Sequence, residues 1–258
     1  MAISGASASY GSLSQLLAAN SLVKARLDTL TTQAATGMAG TSYAGLGAGA
    51  ATSLALAPAL AHQQAWSANI GAVSGQMQVA QGALTQISQI ASNFYAQTDN
   101  LNGLNASTVD SVAASARDAL RQMAGLLDSQ VGGVYVFAGQ DSATPPVPNP
   151  DGIAGSGFVT QITSAVQGLA GAGAAATNAV TLAVASSNAA GVSPFSAALS
   201  QPAAVLAGLR SSVQVGDAST VPTGILASAN GDVTSTGSST TGSYMRDVMR
   251  ALATLGAL

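Results

Sequence analysis

Cysteine and glutamate are both absent from the 258 residues, and histidine occurs once, as His62. Without thiols there is no disulfide staple, no thiolate metal site and no thiol nucleophile. A lone imidazole beside Gln63, Gln64 and Trp66 has no second ligand in sequence reach, whereas a metal site needs three or four donors. His62 therefore reads as a structural or surface residue, and the composition predicts no metal, no cofactor and no enzyme. Charge is equally scarce: 7% of residues are charged against a usual value of about 25%. Seven Lys and Arg against ten Asp leave a net charge of −3, too small and too dispersed to hold nucleic acid by counterion release. Residues 29–98 and 152–209 carry no charged side chain at all. Gln, Asn, Ser and Thr nevertheless recur within both windows, and the most apolar piece, Ala44–Ala61, is rich in Ala and Gly and contains Pro58. Neither window offers the ~20 strongly apolar residues that span a bilayer, so no membrane insertion is expected. The N-terminus has neither the basic start nor the long apolar segment of a cleaved signal peptide.

What the chain has instead is periodicity. Leu13, Leu16, Asn20, Val23, Leu27, Leu30 and Ala34 keep a three-and-four spacing, with Leu17 and Leu22 widening the stripe. This predicts an amphipathic helix that stops near Gly37, where a missing Cβ suits a left-handed cap, followed by a glycine-rich loop over Met38–Gly49. Trp66, Ile70, Val73, Met77, Ala80, Leu84, Ile87, Ala91, Phe94, Thr98 and Leu101 alternate steps of four and three without a break. A single helix over Trp66–Leu101 follows, far longer than the ~12 residues typical of globular proteins, and a sustained seven-residue repeat implies a partner helix of comparable length. Thr52–Gln64 is also helix-forming, with Pro58 as a kink or as the first turn of the long helix.

After a turn at Asn100–Asn105, Ser107 and Asp110 resemble an acidic capping box. They open a third helix whose face is Val109, Val112, Ala116, Leu120, Met123, Leu127 and Val131, closing at Gly132-Gly133 and able to run antiparallel to the second. Gly133-Val-Tyr-Val-Phe-Ala-Gly139 alternates as a short strand. Pro145–Gly152 breaks regular structure and puts a boundary near residue 141. Beyond it, Phe158, Ile162, Val166 and Leu169 keep helical spacing, Ala172–Ser187 is ambiguous, and Pro194 and Pro202 each stand where a helix can begin. Val213–Val215 and Val221–Leu226 flank Gly216-Asp217 as a hairpin. Asn230–Gly242 reads as a Ser, Thr and Gly linker, and Tyr244, Val248, Leu252 and Leu255 form a last helical face. The expected fold class is mainly α: an elongated antiparallel helical rod or bundle with a small inserted α+β domain. The expected division is a helical core at 1–141, an inserted outer domain at 142–228, and a linker with the start of a C-terminal core helix at 229–258. Gly45-x-Gly47-x-x-Ala50 and Gly171-x-Gly173-x-x-Ala176 match a dinucleotide pattern formally, but neither follows a convincing strand.

The order of these pieces resembles the bacterial flagellin family, and within it the hook-filament junction proteins of alphaproteobacteria. The residues that carry the likeness are the N-terminal helix running into Leu30-Thr-Thr-Gln-Ala-Ala-Thr-Gly37, Tyr43-Ala-Gly-Leu-Gly47 with Ser53-Leu-Ala-Leu56, and the Trp66–Leu101 rod. Gly133-Val-Tyr-Val-Phe-Ala-Gly139-Gln-Asp141 and Thr241-Gly-Ser-Tyr-Met-Arg-Asp-Val-Met-Arg250 add to it. The resemblance covers 1–141 well and 200–258 moderately. It implies a non-enzymatic axial subunit of the flagellum, extracellular, exported without a cleaved signal through the flagellar type III apparatus. Its implied partners are copies of itself, other axial proteins of hook, filament or junction, and an export chaperone. The seam expected to pack against neighbouring subunits is Leu13, Leu16, Val23, Leu27, Leu30, Trp66, Ile70, Val73, Met77, Leu84, Ile87 and Phe94. The alternative reading is a surface adhesin or glycan-binding module displayed on a helical stalk.

Overall fold

A computed structural model describes residues 6–38, 49–98, 101, 106–231 and 235–258, with side-chain exposure given from residue 14 onward. The Tyr43–Gly47 loop, most of the Asn100–Asn105 turn and the Leu13 side chain lie outside the described residues. The chain divides into two units, residues 1–65 and 66–258.

In the first unit, α1 (Ala6–Thr36) is longer than the Leu13–Ala34 stripe alone predicts. It ends as expected at Gly37, whose φ of +69° is the left-handed conformation and whose N–H donates to the Gln33 carbonyl at 2.8 Å. Its threonines close on their own helix: Thr29, Thr31, Thr32 and Thr36 each donate to the carbonyl four residues back. The second helix, α2 (Gly49–Thr98), begins in this unit and continues into the next. The Thr52–Gln64 stretch and the Trp66 rod are thus one helix, with Pro58 inside it. Pro58 removes one intrahelical N–H without ending a helix that has many others on both sides.

The second unit holds the core. α3 (Ala106–Leu127) ends four residues before the expected Val131, because Gln130–Val131 (β1) turns back at Gly132-Gly133 to pair with Val134–Tyr135 (β2). Both glycines have positive φ, which makes this tight reversal possible. Ser107 lies inside the first turn of α3, since the helix starts at Ala106. A 3₁₀ turn at Ile153–Gly155 leads into α4 (Gly157–Gln167), capped by Ser156, whose Oγ accepts from the Val159 N–H at 3.3 Å. The Ala-rich stretch is helical: α5 (Leu169–Ser186) is two pieces joined at Gly173, where φ is +82° and ψ is extended. Pro202 precedes α6 (Ala203–Gly208), whereas Pro194 starts no helix and sits in turns. The hairpin forms as β3 (Ser212–Gly216) and β4 (Ser219–Pro222), and α7 (Tyr244–Gly256) closes the chain.

Helix α7 lies chiefly against α3 and also touches α4 and α5. One buried cluster joins Ile87, Ile90 and Phe94 of α2, Leu120, Met123 and Leu127 of α3, Phe158 and Ile162 of α4, and Met249 and Leu252 of α7. Val147, Ile153, Phe195, Leu199 and Leu226 belong to the same cluster. The segment expected as an insert therefore shares its core with the helices that bracket it. Each such large side chain contributes roughly 1.5–3 kcal/mol through removal of apolar surface from water.

Candidate assembly surface

The predicted seam splits along its length. Leu16, Val23, Leu27 and Leu30 on α1 are 67%, 64%, 62% and 55% exposed, and Ile70 and Met77 on α2 are also open to solvent. Trp66, Val73 and Leu84 are half-buried. Ile87 and Phe94 differ: they are buried within this chain's own core and are not free for a neighbour. The physical reason is that the C-terminal part of α2 joins the buried cluster that also holds residues of α3, α4 and α7, whereas its N-terminal part contributes nothing to it. The exposed set extends beyond the seam, because Leu17, Leu22, Leu54, Leu56 and Leu60 are all more than half exposed as well. Large apolar side chains left open repeatedly along one helix are candidates for an interaction surface.

Polar chemistry concentrates on α7 instead, and sequence reasoning did not single it out. The Arg246 guanidinium is buried, 6% exposed, and donates to the carbonyls of Ser228 (2.8 Å), Ala185 (2.9 Å) and Ser187 (3.3 Å) and to Asn188 Oδ1 (2.7 Å). The Phe195 ring lies 5.1 Å from its centre. Burial lowers its pKa, while the C-terminal carbonyls of α5 offset part of the positive charge. One turn on, Arg250 donates to Thr181 Oγ1, the Ser239 carbonyl and Asn178 Oδ1, fastening α7 to α5. Asn230 accepts from the Tyr244 N–H and donates to the Gly242 carbonyl, both at 2.9 Å, and Asp247 accepts from Thr240 and the Thr241 N–H. The predicted linker is thus tied to the start of α7. The available signal was positional: two of only seven basic residues stand four apart on one helix face.

The charges of α3 are structural too. Arg121 pairs with Asp118, and Arg117 donates to the Gly256 carbonyl at the end of α7 (2.9 Å). Asp128, just past α3, accepts from the Val147 N–H at 2.9 Å, and its partial burial raises its pKa to about 6. Among the described residues no three His or Asp side chains gather as metal ligands would. Among the described residues one helix, α5, is long and apolar enough to cross a membrane by length and composition alone, but it is broken at Gly173 and has Thr181, Val184 and Ala185 buried.

Against known families, residues 7–142 match the bacterial flagellin N-terminal helical region, more than half of the chain. The chain belongs to the bacterial flagellin family. The matched region runs from α1 through the β1–β2 reversal and so contains every exposed leucine of the seam. Members of this family are structural subunits of the flagellum. No curated protein and no solved structure is found to match the chain.

Proposed function

We infer that this flagellin-family subunit is an axial protein of the hook-filament junction type, assembling through the exposed faces of α1 and the N-terminal part of α2. The observation that carries the assembly reading is the contrast within one helix: Ile87 is fully buried while Leu54, Leu56, Leu60 and Met77 are each more than half exposed. The junction assignment rests on the Gly133–Asp141 segment. There the β1–β2 reversal delivers Phe137 into the core, and Gly139, at φ +66°, passes so close to the Leu209 carbonyl and Leu226 that a Cβ would overlap both. Copies of the chain and neighbouring axial proteins are its partners in this reading, with export through the flagellar type III route and a chaperone to keep the apolar helices from associating early.

The experiment is deletion of the gene with immunogold labelling of the complemented strain. A junction subunit leaves hooks without filaments when deleted and is labelled at a single band beside the hook. Label along the whole filament, or normal filaments in the deletion strain, overturns the junction assignment.

A further inference from the structure

Asparagine followed by glycine occurs twice in the chain, at Asn102-Gly103 and Asn230-Gly231. With no Cβ on the second residue, its backbone nitrogen can reach the side-chain carbonyl carbon of the first, which makes this pair the most reactive setting for a thermolabile asparagine. Asn102 and Gly103 lie outside the described residues. Asn230 is half-buried just past the Leu226–Ala229 reversal, in which Ala227 and Ser228 are buried, and Gly231 is exposed. Both ends of the Asn230 amide are engaged by the residues that open α7: Oδ1 accepts from the Tyr244 N–H and Nδ2 donates to the Gly242 carbonyl, each at 2.9 Å. Ser243, between them, is the N-cap residue and makes no side-chain cap bond, so the Asn230 carbonyl serves the first N–H of the helix in its place. A reactive amide is thus held by the start of the helix that closes the core.

We propose that Asn230-Gly231 is a deamidation site that the docking of α7 holds closed. In the reaction the Gly231 nitrogen bonds to Asn230 Cγ, the Cγ–Nδ2 bond breaks, and ammonia leaves carrying the Gly231 amide proton. Water then adds across one of the two C–N bonds of the five-membered imide, giving aspartate or isoaspartate with no change of oxidation state. The two hydrogen bonds oppose this, because they fix both atoms of the amide in one rotamer and keep the leaving nitrogen on the Gly242 carbonyl. The product does not restore the contact: aspartate has no N–H for that carbonyl, and isoaspartate adds a carbon to the backbone before Gly231. A chain whose α7 stays undocked therefore loses, with time, one of the contacts by which α7 docks. The inference rests on neither the assembly surface nor the junction assignment.

The test is peptide mapping by mass spectrometry of the full chain incubated at mildly alkaline pH, native and in guanidinium chloride, reading the gain of about 1 Da and the isoaspartate at each Asn-Gly pair. In denaturant Asn230 and Asn102 are expected to convert at similar rates, so Asn102 is an internal clock. In the native chain Asn230 is expected to convert about tenfold more slowly than in denaturant, or slower still. Tyr244→Pro removes the N–H that Asn230 accepts while keeping the helix, since proline suits the first helical position and the residue before it is already extended, at φ −118° and ψ 121°. It is expected to speed native conversion of Asn230 about tenfold with the helical circular dichroism unchanged. Gly231→Ala, whose new Cβ meets nothing nearer than the Arg210 guanidinium at 3.4 Å, is expected to slow conversion in denaturant well below the Asn102 clock. The proposal is overturned if native and unfolded chains convert Asn230 at the same rate, if Asn230 stays intact in denaturant while Asn102 converts, or if Tyr244→Pro leaves the native rate where it was.

Discussion

The two ends of α2 have the same seam written in the same residue types, yet one end is core and the other is surface. Ala80, Ile87 and Phe94 of the seam lie in a buried cluster with residues of α3, α4 and α7, whereas Ile70 and Met77 of the seam, and Leu54, Leu56 and Leu60 before it, stand open to water. Periodicity of apolar residues therefore specifies that a face must be covered, but not by which chain. What decides is the supply of complementary surface nearby. In that cluster α7 places Met245, Val248, Met249 and Leu252, all buried, and α3 places Leu120, Met123 and Leu127.

The comparison can be broken most forcefully at Ile87. A carboxylate there has no partner in the core, so Ile87→Asp is expected to cost more than ~4 kcal/mol and unfold the second unit, read as loss of the cooperative transition in denaturant. Arg246 sets the next largest effect. Arg246→Met keeps the apolar stem but orphans the buried Ser228 and Ala185 carbonyls, and is expected to lower stability by ~3 kcal/mol in the same titration. Retention of full stability would mean that α7 is held by its apolar face alone.

Asp128 gives a smaller effect of opposite sign. Its folded pKa of about 6 lies above the ordinary value of 3.8, so its contribution favours folding fully below pH 3.8 and is lost as pH rises through 6. Asp128→Asn keeps an acceptor for the Val147 N–H without the charge, and is expected to stabilise the chain at pH 7 by ~1 kcal/mol after allowance for solvent screening of a half-exposed group. The gain should vanish below pH 4, measured by denaturant titration at both values. Least of all in the monomer, Leu27→Asp on the exposed face of α1 should change stability by less than ~0.5 kcal/mol while preventing incorporation into flagella. Normal incorporation of that variant would erase the distinction between the two ends.

Much of this was legible in the residues. The heptad rhythm located α1, α2 and α3 and Gly216-Asp217 located the hairpin, while the Gly132-Gly133 pair, read as the end of α3, is the turn between β1 and β2. The misjudged boundaries have local causes. Pro58 read as a kink or as the first turn of the long helix because the loss of one N–H is visible in sequence, but the bonds on either side that carry the helix through are not. Regular structure breaks between Pro145 and Gly152 as read, and Val147 within the break and Ile153 just past it are 1% and 2% exposed and belong to the same buried cluster as Phe137. Arg246 and Arg250 were invisible as clamps because their acceptors are backbone carbonyls, two side-chain amides and one hydroxyl between 11 and 72 residues away. Carbonyls leave no mark in a sequence. Which seam residues remain open was equally hidden, since Ile87 and Ile70 are the same residue type on one seam.

Hydrogen exchange by mass spectrometry, comparing the free chain with the chain in isolated flagella, tests the central claim most directly. The account predicts that backbone amides over residues 14–36 and 54–77 gain protection on assembly, while those over 113–127 and 245–253 are protected to the same degree in both. Equal protection of residues 14–36 in the free and assembled chain would contradict it.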